Sequence, residues 1–148
     1  LSWSPDSRKI AYSFRLSPVQ REHTLAVVDL DTRIITPLYT AADRIGDVSW
    51  SPDGQRIAFS MVDGASSHIY TIQPDGEQFV RLTSATRNNI MPRWSPDGSL
   101  ISFSASSPGE PYRLYVMSAE GGAPYLVFLG VPGEDVFNRC WLRQPTAG

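Results

Sequence analysis

Three aspartates recur at one place in the sequence pattern: Asp6, Asp53 and Asp97, each directly after a proline. Repeated carboxylates are raw material for a metal site or for general acid–base chemistry. Their setting points to a plainer role. Each stands in a Ser-Pro-Asp turn, where an aspartate accepts bonds from its own local backbone, and that accounts for its recurrence. The two histidines, His23 and His68, occupy unlike places in the pattern, with no Cys, His or carboxylate at ligand spacing, so no metal site is expected. Serine is abundant, but none lies in a G-x-S-x-G elbow. Cys140, the one cysteine, has no histidine near it in sequence and forms no internal disulfide; it reads as a small apolar residue beside Trp141. No Gly-rich loop opens a helix, so a nucleotide finds no cradle. The expectation is a chain with no cofactor, no metal and no catalytic residue of its own.

The elements that hold these residues repeat. LSWSPDSRKIAYS at 1–13, VSWSPDGQRIAFS at 48–60 and PRWSPDGSLISFS at 92–104 are three versions of one phrase. Trp3, Trp50, Trp94 and, in a decayed fourth copy, Trp141 are spaced by 47, 44 and 47 residues. A fixed period of this length marks one supersecondary unit stacked on its neighbours. Within the second copy, residues 47–50 read as a short strand and Ser51-Pro52-Asp53-Gly54 as a hairpin turn. Residues 56–60 then alternate large and small, with Ile57 and Phe59 on one face and Ala58 and Ser60 on the other. A third strand at 68–72, a second turn at Asp75-Gly76 and a fourth strand ending near Leu82 complete the unit. Four short antiparallel strands per repeat make one propeller blade. The fold class expected is all-β, a partial propeller over 1–148. Its blades fall near 1–46, 47–90 and 91–137, and a partial repeat or closing strand occupies 138–148. Trp3, Trp50 and Trp94 are expected to be buried in equivalent inner positions.

The W-S-P-D-G, I-A-F-S and I-Y-x-I-x-x-D-G elements, with the trailing Arg81-Leu82-Thr83, resemble the repeats of the TolB-type β-propeller family from residue 1 to about 128. The departures are Ser7 in place of the turn glycine, Thr32 in place of glycine in the next turn, and Leu142-Arg143-Gln144-Pro145 in place of S-P-D-G. The resemblance implies an extracytoplasmic protein at the bacterial cell envelope, periplasmic in the family's usual setting. It also implies a non-catalytic scaffold that binds other proteins, as an accessory subunit of a larger, membrane-associated complex. Similar propellers precede the hydrolase domain in prolyl-oligopeptidase-like serine peptidases and follow some bacterial kinase domains. In that alternative the catalytic residues lie outside these 148 residues.

Charge narrows the partners. Thirteen basic and fifteen acidic residues, spread along the chain for a formal charge of -2, give no cationic stripe, so nucleic acid is not an expected partner. The longest apolar run, 125–131, is far shorter than the ~20 residues of a spanning helix, so no transmembrane segment is expected. Three blades cannot close a ring of ~4 to 8. Bare end faces carrying Tyr12, Phe103 and Tyr115 are therefore expected to need cover from further blades, a second copy or another protein. The loops 15–23, 63–67 and 105–111, together with 40–47, 84–91 and 130–138, share one rim. Arg21, Arg44, Asp47, Arg87, Asn88, Asn89, Asp135 and Asn138 are its candidate protein-contact residues.

Overall fold

The Ser-x-Asp turns come first, because they set the hairpins. In the computed structural model, which describes residues 1–17, 19, 21–84 and 86–128, Ser51 Oγ lies 2.6 Å from Asp53 Oδ1. That oxygen accepts the Gln55 amide, and Ser51 Oγ accepts the Arg56 amide at 2.9 Å. Gly54 follows in the left-handed region at φ 75°, a conformation glycine adopts without a Cβ clash. The same bonds recur around Ser4 and Asp6 and around Ser95 and Asp97. Hydrogen bonds from Ser95, then from the backbone and side chain of Ser99, hold the Asp97 carboxyl down at about 2. The recurrent aspartates are turn-builders, as their setting in the sequence indicates. In the first copy Ser7 takes the glycine's place and its left-handed conformation, at φ 59°.

Each of these turns joins the first two strands of a blade, and among the described residues twelve strands make three four-stranded antiparallel sheets, each from one continuous stretch of chain. The first holds β1 (Ser2–Trp3), β2 (Lys9–Phe14), β3 (His23–Asp29) and β4 (Ile35–Ala41). The second holds β5 (Ile45–Trp50), β6 (Ile57–Asp63), β7 (Ser66–Ile72) and β8 (Val80–Arg81). The third holds β9 (Asn88–Trp94), β10 (Leu100–Ser106), β11 (Arg113–Ser118) and β12 (Tyr125–Phe128). Strand order follows chain order in every sheet, and the described residues contain no helix. This is an all-β arc of propeller blades. Residues 138–148, including Cys140 and Trp141, lie outside the described residues.

Strand parity decides which blade touches which. Successive side chains of a strand point to opposite faces, so Ile57, Phe59 and Met61 of β6 face the first blade, where they pack with Ala11, Leu25 and Val27. Ala58 and Ile69 face the other way, onto Ile101, Phe103 and Met117 of the third blade. Each seam thus mates the large face of one blade with the small face of its predecessor. Phe103 and Tyr115 accordingly pack into the second core rather than onto a bare end face, which corrects the expectation for those two side chains. Tyr12 keeps its place on an open face, only half-buried, because β2 turns it away from the second blade.

The tryptophans follow the same rule. Trp50 and Trp94 are 8% and 6% exposed, and the Trp94 indole donates to the Ser49 carbonyl of the preceding blade at 3.1 Å. The Arg56 guanidinium lies 4.9 Å from the Trp94 ring centre. Trp3 is 54% exposed. It was expected to be buried like the others, but it lies on the leading face of the first blade, and no blade among the described residues covers that face.

Candidate functional site

In four-stranded antiparallel blades the loops after the second and fourth strands emerge at one end. Three of the candidate rim residues converge there, between the second and third blades. Arg44 from the linker into β5, Asp47 from β5 and Asn88 from β9 line an open cavity of about 370 Å³, with Ser60, Ser67 and Tyr112 completing the wall. A pair of matched bulges shapes it. Phe59 opposes both Asp47 and Val48, and Phe103 opposes both Met91 and Pro92, because the register of each inner strand slips at that point. Asp47 and Met91 adopt φ 49° and 57° at these slips, each three residues before a conserved-phase tryptophan. A bulge re-aims the side chains around it, and left-handed non-glycine residues persist only where surrounding structure holds them. Here Ser60 Oγ lies 3.0 Å from the Gly46 carbonyl and 3.2 Å from Asp47 Oδ2. Asn88 Oδ1 accepts the Ser67 amide across the seam.

The wall therefore offers one cation, one anion, hydroxyls and an amide in a solvent-open mouth. That set can offer hydrogen bonds and charge of either sign to a molecule at the mouth. Among the described residues no histidine lines this wall: His68, next to Ser67 in sequence, is buried and bonded to Arg81 and Thr83.

A model of the TolB beta propeller domain matches residues 1–133. The chain belongs to that family. This TolB-type propeller is 35% identical over 60 residues to an uncharacterized peptidase, YuxL, of Bacillus subtilis, a match spanning 40% of this chain and 9% of the relative. It is 34% identical over 67 residues to the Tol-Pal system protein TolB of Syntrophus aciditrophicus, spanning 43% of this chain and 15% of the relative. Among solved structures, a putative TolB from Agrobacterium tumefaciens superposes with a TM-score of 0.76 at 23% identity, covering 90% of this chain and 52% of that one. The chain thus matches only a minor part of these curated relatives and about half of that structure.

The remaining rim residues of the TolB-type propeller lie elsewhere. Arg21 is exposed in the loop before β3 and lines neither cavity between the second and third blades. Arg87 folds onto Tyr115 in a second cavity, and Asn89 is buried there, its Nδ2 donating to the carbonyls of Ser67 and Arg87. Asp135 and Asn138 fall outside the described residues. Ser60, Ser67 and Tyr112 went unmarked at the mouth. Ser60 lies mid-strand in β6 and Ser67 near the start of β7, just past the hairpin turn at residues 64–65; serine recurs throughout this chain's strands and turns, so nothing in their type separates them from their neighbours.

One group at this end couples the propeller to acid. His68 accepts from Arg81 through Nε2 at 2.9 Å, Arg81 pairs with Asp63, and the Tyr70 hydroxyl donates to the same carboxylate at 3.0 Å. Burial, then the Arg81 charge, push the His68 pKa below its ordinary 6.5, while Asp63 pulls weakly the other way. Tyr70 is pushed up to about 12 by burial and by its bond to Asp63. A folded histidine with a depressed pKa stays neutral where the unfolded one takes a proton, so stability is complete above about 6.5 and falls as pH drops below it. His68→Gln keeps an acceptor for Arg81 and removes the titration. Denaturation midpoints at pH 7 and pH 5 are expected to differ in the parent and to converge in the variant; an equal drop in both would show that another group is responsible.

Proposed function

We propose that this propeller is a non-catalytic protein-binding module working at the bacterial cell envelope, outside the cytoplasm, as an accessory part of a larger assembly. One observation carries the reading. Trp3 is 54% exposed where Trp50 and Trp94 are 8% and 6% exposed, and with half-buried Ile10, Tyr12 and Phe14 it makes an apolar leading face. The two internal seams show what such a face accepts: a sheet surface of small residues such as Ala11 or Ala58. The Arg44, Asp47 and Asn88 mouth adds polar contacts. Family membership supports the setting, and among the described residues no helix is long and apolar enough to cross a membrane.

Sedimentation velocity across a concentration series tests the reading. The chain is expected to associate, burying at least a standard ~800 Å² per partner, and Trp3→Ser with Tyr12→Ser to return it to a monomer. A parent chain that stays monomeric at every concentration would overturn the proposal.

The identity to the Bacillus subtilis peptidase favours a second reading. There the propeller is one portion of a longer serine peptidase, and its leading face mates with the rest of that chain. The full reading frame separates the two: a hydrolase segment carrying G-x-S-x-G displaces the first reading.

A further inference from the structure

The two seams are built on one plan, and one of them is missing two rings. Between the first and second blades, Tyr39, Phe59, Tyr70 and Phe79 form a continuous aromatic stack. Phe79 lies 4.4 Å from Tyr39 and 5.1 Å from Tyr70, and Tyr70 lies 5.8 Å from Phe59, centre to centre. Between the second and third blades the inner pair is retained, with Phe103 stacked on Tyr115 at 6.0 Å and paired with it across the strands as Phe59 is with Tyr70. The outer pair is not. Counting from the turns at Gly76 and Gly121, Pro124 stands where Phe79 does, and Thr83, following β8, stands where Tyr39 does. The vacated space is a cavity of about 420 Å³, lined by Leu82, Thr83, Phe103, Tyr115 and Pro124.

The cavity has one charged wall. Arg87 places its guanidinium 5.4 Å from the Tyr115 ring centre and donates to the Tyr115 hydroxyl at 3.0 Å. Asn89 fixes the Arg87 backbone from below. Among the described residues no carboxylate lines the cavity and Arg87 forms no ion pair. An apolar slot of this size with one convergent charge is the usual form of a small-molecule site.

The geometry points to a binding site for an aromatic carboxylate. Its rings fill the volume that Tyr39 and Phe79 occupy in the first seam, lying against Tyr115, and its carboxylate pairs with Arg87. Arg presents a fork of donors that matches a carboxylate, and the low-dielectric wall strengthens the pair. The site lies apart from the mouth lined by Asp47 and Asn88 and does not depend on the protein-binding reading.

The test uses the whole chain and 2-naphthoate, with neutral 2-naphthamide and aliphatic heptanoate as comparisons, followed by calorimetry and ligand-detected NMR. Naphthoate is expected to bind, and naphthamide to bind more weakly by about tenfold, the size of a lost charge-assisted bond. Heptanoate is expected not to bind measurably. Arg87→Gln should erase the difference between naphthoate and naphthamide. Pro124→Phe, which restores the ring of the first seam, should reduce naphthoate binding by at least about tenfold and raise the melting temperature. If Pro124→Phe does not fold, cross-relaxation from naphthoate to the Tyr115 and Phe103 ring protons decides the question. The assignment is overturned by no binding at millimolar naphthoate, by binding that neither variant changes, or by absence of those ring contacts.

Discussion

Trp94→Ala is expected to destabilise the chain by about 3–5 kcal/mol, the range for removing a large aromatic from a core. Trp3→Ala, the same change at the same place in the repeat, is expected to cost about 1 kcal/mol or less. The difference comes from cover alone. Trp94 is buried in the second core, its indole nitrogen satisfied by Ser49 and its ring roofed by Arg56. Alanine there leaves a cavity, one hydrogen bond fewer across the seam and a guanidinium with no ring beneath it. Trp3 is more than half in solvent, so little is lost. Urea unfolding midpoints of the two variants measure this directly. Equal losses would mean that the first blade's leading face is covered in solution.

The second large effect runs the other way, by filling rather than emptying. Ala58→Leu is expected to cost about 1–3 kcal/mol, because Ala58 is fully buried between the second and third blades and added methyl groups have nowhere to go. Phe103 packs across that seam. Phe103→Leu opens space there, so the double variant should be less destabilised than the two single losses combined. Strict additivity in equilibrium unfolding would show that the two side chains do not share the seam.

How much of this was readable beforehand differs between fold and site. Alternation in Ile57-Ala58-Phe59-Ser60 and the three Ser-Pro-Asp turns announce the blades, because period-two patterning and turn chemistry are local properties. Direction across the seams was not legible. A sequence shows that Tyr12 and Phe103 hold the same register, but only packing shows that one has a blade in front of it and the other does not. The bulges at Asp47 and Met91 were equally hidden, since neither residue type advertises a left-handed backbone as glycine does. Without the bulges, Arg44, Asp47 and Asn88 are two charges and one amide spread over two loops. Arg87 and Asn89 stand beside Asn88 in sequence, yet they line a different cavity, because alternate residues of one strand address opposite walls.

Each sheet closes its hydrogen bonds within one unbroken stretch of chain and meets the next only through side chains. Lengthening such a protein therefore breaks no backbone pairing. A duplicated gene segment arrives with its ladder already complete and needs only a large face that suits the small face ahead of it, so unequal copying can extend or shorten the arc in whole units. The decay of individual copies, such as serine at position 7 or proline at 124, is then free to proceed blade by blade, and each blade can acquire its own seam chemistry while its neighbours keep theirs.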